Sequence, residues 1–133
     1  MRVNGLNVLA IIVAAIAMYA IGFLFYGVLF SDLWMSLSGY TEDSLKGQEW
    51  KMALGPVMPI LLAIGLSIAC KWRGAIGLVG GVMTGAITWL FFVLSTAMYA
   101  FAYSTAPALL FGIDALHLFL ISVVGGAIVS VWK

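Results

Sequence analysis

Charge is what this sequence has least of. Charged residues make up 8% of its 133 positions and hydrophobic residues 65%, and the mean hydropathy is +1.18. A soluble domain averages about 25% charged and about 45–50% apolar residues. So few charges cannot keep a soluble surface wet. The composition excludes a soluble enzyme and a disordered segment. With a net charge of +1 and no basic run, it also excludes a nucleic-acid surface.

Cysteine and histidine are equally scarce. Cys70 stands alone, which excludes an intrachain disulfide, a CxxC redox pair and a zinc cage. A four-helix membrane thiol oxidoreductase is excluded with them. Cys70 reads as a small packing residue, and the seven methionines likewise. His117 is the one histidine, so this chain cannot supply two axial histidines to a haem. One histidine and scattered acids make no metal site, and no cofactor is expected. No GxSxG, HExxH or paired-aspartate motif is present, so no catalytic residue is assigned and an intramembrane enzyme is the weakest of three functional readings. Period-2 alternation is missing too, which argues against a β-barrel.

What is present is a set of long apolar runs. A helix needs about 20 apolar residues to cross the hydrocarbon core. The sequence predicts spans at about 6–30, 52–70, 75–103 and 112–132. The first run is longer than a signal-peptide core and lacks a clear cleavage site, so it is expected to be a retained span. The fold class expected is an all-α integral membrane protein, a single transmembrane domain of four helices in an antiparallel bundle. Ser31–Lys51 is the one sizeable polar segment. Leu33, Trp34 and Leu37 lie there at helical spacing, predicting a short interfacial helix over Asp32–Ser38 that Gly39 and Tyr40 break. Thr41 followed by Glu42 and Asp43 reads as an N-cap with acidic first-turn residues. A helix starting near Glu42 is expected to lead into the second span.

The few charges segregate. Arg2, Lys71, Arg73 and Lys133 fall at one end of the predicted bundle, with no acid among them. Asp32, Glu42, Asp43, Glu49 and Asp114 fall at the other, with Lys46 and Lys51. The positive-inside bias predicts both termini cytoplasmic and Ser31–Lys51 outside. Tyr26, Phe30, Trp34, Trp50, Tyr99 and Tyr103 would mark the outer interface, and Trp72 and Trp132 the inner one.

Three local patterns could carry function. Gly77, Gly81 and Gly85 are spaced four apart on the third span, a glycine-zipper stripe that admits another backbone closely. Ser122, Gly126 and Ser130 repeat the spacing on the fourth span, and Ala10 and Ala14 on the first. These helix-packing stripes serve either the bundle itself or a homo-oligomer. Pro56 and Pro59 free carbonyls at Met52 and Gly55, which either line an ion path or merely accompany a shallow kink. Asp114 and His117 lie one turn apart and share a face. Ionisable groups inside spans are often functional. With Tyr103 and Ser104 near by, and Asp32, Tyr26 and Trp34 from the first span's exit, they form a candidate polar site. A carboxylate beside an imidazole can relay a proton. The competing reading makes Asp114 a helix-start charge and His117 a core donor.

The stretch Tyr26–Gly47, YGVLFSDLWMSLSGYTEDSLKG, resembles the signature of a family of small bacterial membrane proteins, domain of unknown function 1761. His117–Trp132, with Gly125-Gly126 and a closing Trp-Lys, is similar to that family's last helix. The family's first-span exit often reads Tyr-Ser-Pro, where this chain has Tyr26-Gly27-Val28. The resemblance implies a four-helix protein of the bacterial inner membrane, with no activity attached. It adds weight to Tyr26, Trp34, Asp114 and His117 as one site near the outer leaflet.

The reading that follows is an accessory, assembly or scaffold subunit that packs through its small-residue faces, with the bilayer, a second copy or a larger membrane complex as partner. The alternative is a small homo-oligomeric transporter or channel that uses Asp114 and His117.

Overall fold

A computed structural model describes residues 1–132, so Lys133 and its part in the charge count lie outside the described residues. The chain opens with a small antiparallel hairpin, β1 (Arg2–Val3) and β2 (Leu6–Asn7), pairing Arg2 with Asn7 and Val3 with Leu6. Asn4-Gly5 forms its turn, both residues having positive φ (51° and 78°), as a type I′ turn demands. The expected first span takes Leu6 as its start. The hairpin delays the helix by two residues, because Asn7 caps it. The Asn7 side chain accepts from the Leu9 and Ala10 amides.

Four helices are long and apolar enough to cross a membrane: Val8–Leu29, Glu49–Arg73, Gly77–Ala102 and Ala108–Val131. The first comprises α1 (Val8–Leu24) and a π-helical turn over Phe25–Leu29. α2 (Ser31–Ser38) follows as the short amphipathic helix expected there. α3 (Glu42–Leu45) is a single turn closed by a Thr41–Ser44 capping box. It does not run on into the second span. The chain turns through Lys46 and Gly47 before a 3₁₀ segment, Glu49–Ala53, leads into α4 (Leu54–Arg73). Pro56 lies in the first turn of α4, where its missing N–H removes no intrahelical bond. Pro59 lies inside the helix and is buried.

The turn into the third span uses Gly74 (φ 63°) and Gly77 (φ 70°), both in the left-handed region where a side chain is strained. α5 (Gly77–Thr88) continues through a second π-helical stretch, Trp89–Leu94, into α6 (Ser95–Ala102). α7 (Ala108–Val131) is the last span.

α7 is the middle of the bundle, packed against α1, α4 and α5. Ala14, Met18, Ala63, Leu66, Cys70, Ile121 and Val129 form its core with α1 and α4. The α5–α7 contact is made backbone to backbone. A methyl group at Gly81 would overlap the Gly126 carbonyl oxygen, and one at Gly85 the Ser122 carbonyl oxygen. Gly81 also faces Ser130, whose Cβ would lie 2.7 Å from an added methyl. Ala10 and Ala14 are buried on α1. Gly77, the third glycine of the stripe, takes no part. It has nothing within 4 Å of a would-be Cβ and serves the turn instead. Its fourfold spacing from Gly81 is therefore a coincidence of position.

Three cations gather at one end. Lys71 donates to the Asn4 carbonyl (2.7 Å), and Arg73 donates to the Thr84 hydroxyl (2.7 Å). Asn7 ties the start of α1 to the end of α7 through the Trp132 carbonyl (2.8 Å). The opposite, acidic end is more open. The third span is the least covered of the four, and α6 leans on little but its own π-helical turn.

Candidate functional site

The polar site is built where α1 leaves its regular helix. In the π-helical turn the Phe30 amide bonds the Phe25 carbonyl (2.8 Å), one residue further back than an α-helix reaches. Tyr26 sits in that turn and donates its hydroxyl to Asp114 Oδ1 at 2.6 Å. Such turns are frequent at functional sites.

Asp114 lies deeper than a span beginning at 112 would put it. α7 starts at Ala108, one turn earlier. At 1.5 Å per residue, Asp114 is about 9 Å and His117 about 14 Å along the axis from Ala108. Half the hydrocarbon core is about 15 Å. The helix-start reading of Asp114 fails on this geometry, since the favourable field of an N-terminus falls off within the first turn. No Lys or Arg nitrogen reaches Asp114 within 4 Å among the described residues; the ion pair found there is Lys46–Asp43 in the polar loop.

His117 stands beside Tyr26 rather than against the acid. The Tyr26 and His117 rings meet edge to face at 4.9 Å, and Phe25 lies 5.6 Å from the imidazole. No hydrogen bond joins Asp114 to His117 among the described residues, so Tyr26 is the carboxylate's partner. His117 Nε2 is buried without a hydrogen-bond partner and is covered by Gly22, where an added Cβ would come within 3.2 Å. An unsatisfied buried polar atom costs about 1–3 kcal/mol. The site therefore carries a stability cost that plain packing would not retain.

Trp34 of α2 closes the acidic end of the cluster. Its ring meets Tyr26 edge to face at 5.7 Å and stacks on Tyr40 at 5.5 Å. Of the residues expected in this site, Tyr26, Trp34, Asp114 and His117 come together. Asp32 and Tyr103 do not. Asp32 is an exposed first-turn acid of α2, where it complements the helix N-terminus. Tyr103 is 88% exposed at the far end of α6. Adjacency along a loop placed both near the site, but their side chains project elsewhere.

Trp89 was not singled out from the sequence and supports the site. Its indole N–H donates to the Ala115 carbonyl (3.0 Å), next to Asp114, from the π-helical stretch of the third span. Its ring meets Phe119 edge to face at 5.0 Å. The available signal was a tryptophan in mid-span, away from both interfaces where tryptophan is usually enriched.

Two cavities meet at this cluster. A groove of about 940 Å³ opens between α2, the start of α4, α6 and α7, and Tyr26, Trp34, Asp114 and His117 all line it. A deeper cavity of about 440 Å³ lies between α1, α4 and α7, with Tyr26 and His117 again in its wall. Gly55 and Pro59 line the deeper cavity as well. Among the described residues no group of three or more His, Cys, Asp and Glu side chains could hold a metal ion.

The fold and this site define a four-helix, multi-pass membrane bundle with one polar cluster inside its acidic half. The family model described as Protein of unknown function (DUF1761) matches residues 9–130, and the chain belongs to that family. No curated protein and no solved structure matches it.

Proposed function

We propose that this chain is a small transport protein that binds its ligand at Tyr26, Asp114 and His117. The observation that carries this reading is Asp114 itself. A carboxylate about two turns inside a membrane helix, held by one phenol and no cation, lines a groove large enough for a small molecule. The deeper cavity beyond Tyr26 and His117 supports a path rather than a dead end. The reading includes the orientation drawn from the charges: termini and Lys71–Gly74 in the cytoplasm, α2 and α3 outside the bacterial inner membrane, so that the groove opens outward.

The test is flux in liposomes reconstituted with the purified protein. A solute driven by a pH gradient should move with the native chain and not with Asp114→Asn. Absence of flux for every solute tried, with or without the change, overturns the transport reading.

A second reading, the accessory or assembly subunit, has its own observation. The outer half of the third span is little covered within the chain, and α6 presents Met98 and Tyr99 to its surroundings. A second copy or a larger complex would cover that face. The small-residue faces no longer support this reading, because Gly81, Gly85, Ser122, Gly126 and Ser130 are engaged inside the bundle. Crosslinking from Met98→Cys in native membranes tests it. A crosslinked dimer or complex supports assembly, and a monomer at every protein level overturns it.

A further inference from the structure

We infer that the ligand of the outer groove is a lipophilic organic cation, an inference that rests on the ligand-site reading above. The charge argument comes first. The groove contains the Asp114 carboxylate and neither Lys nor Arg in its lining. Oδ1 accepts from the Tyr26 hydroxyl, and no other hydrogen bond to this carboxylate occurs among the described residues. One negative group facing a water-poor space selects a positive partner, and an anion would meet only repulsion there.

The walls select the kind of cation. Trp34 and Tyr26 meet edge to face beside the carboxylate, and Tyr40 stacks on Trp34. Phe101 and Phe111 stack at 4.6 Å and also line the groove. Aromatic faces attract cations through their quadrupole, most strongly when water is excluded. Small, strongly hydrated ions fit poorly. Such an ion loses most on leaving water, whereas a charge spread over alkyl or aryl groups loses less. A metal ion would also need several hard donors, and one carboxylate with a phenol supplies too few. The remaining lining, including Met52, Met58, Ala97 and Leu110, is apolar and suits the ligand's body. The volume, about 940 Å³, is at the upper end of drug-sized pockets, about 300–1,000 Å³.

Three probes of one shape separate the possibilities: tetraphenylphosphonium, tetraphenylborate and uncharged triphenylphosphine oxide. Each is titrated calorimetrically into the full chain in dodecyl maltoside, with empty micelles as the blank. The phosphonium should bind saturably and the borate should not. Asp114→Asn should weaken phosphonium binding about 10- to 100-fold, the range of a lost charge-assisted contact. Trp34→Leu should weaken it less. Unchanged helical circular dichroism and elution volume establish that each variant is folded, and if Asp114→Asn fails this, Trp34→Leu and the borate comparison decide. Equal binding of phosphonium and borate, or full phosphonium affinity in folded Asp114→Asn, overturns the cation while leaving a groove ligand. Binding of the phosphine oxide alone does the same. Failure of all three probes overturns both the cation and the ligand-site reading.

Discussion

Tyr26 and Asp114, 88 positions apart in the chain, meet at 2.6 Å between the first and last spans. This bond joins the site to the fold, since each residue is held by a different span. Tyr26→Phe removes the donor and leaves the carboxylate alone. The expected loss is about 1–3 kcal/mol of unfolding free energy. Combined with Asp114→Ala, the coupling should be about 0.5–2 kcal/mol, the range seen for hydrogen bonds between membrane helices. Equilibrium unfolding in mixed micelles measures both, and additive single effects would show that the bond contributes nothing.

The α5–α7 seam yields a stability prediction with an internal control. Gly81→Leu or Gly85→Leu must push two backbones apart. The cost should reach or exceed the usual penalty for overpacking, about 1–3 kcal/mol. Gly65→Leu, on α4 with nothing within 4 Å of its would-be Cβ, should be near neutral. Because the seam lies within one chain, the loss at Gly81 should not vary with protein concentration. A concentration-dependent loss would relocate the seam between copies.

Trp89→Phe keeps a ring against Phe119 and deletes the N–H to Ala115. About 0.5–1.5 kcal/mol should be lost. More telling, Asp114 should become less well fixed, so phosphonium binding should weaken while Asp114 itself is unaltered. Calorimetry on the folded variant reads this. Unchanged binding would make Trp89 a packing residue only.

Orientation is tested in cells. With Cys70, buried at 1% exposure, replaced by alanine, Ser44→Cys supplies a lone thiol in the polar loop. A membrane-impermeant maleimide should label it in intact cells, through the outer membrane's pores. Labelling that appears only after the inner membrane is opened would invert the topology.

The spans were readable because a run of about 20 apolar residues has few other uses. Asp114 and His117 were readable because a charge within such a run is conspicuous. Their depth was not. Ser104–Phe111 is uncharged, so composition cannot distinguish its loop half from the first turn of α7, which Pro107 precedes. Tyr26 and Trp34 were found because both lie at the exit of the first span. Asp32 shares that exit, but sequence neighbourhood does not specify rotation about the helix axis. The hairpin was legible in Asn4-Gly5 and was absorbed into the apolar run that follows. The π-helical turns left no trace in composition, since one hydrogen bond shifted by a residue changes no residue type.

Those turns also say what kind of change the site would not tolerate. A π-helical turn holds one residue more than the α-helix around it, so the chain beyond it is phased differently. Deleting a single residue such as Val28 would allow the first span to become regular, with little loss of apolar length. Every residue after the deletion would then rotate by about 100°. Trp34 would leave the Tyr26 ring, and α2 would no longer close the groove. The span would remain a good span, and insertions or deletions there would be read as harmless by hydropathy while dismantling the site.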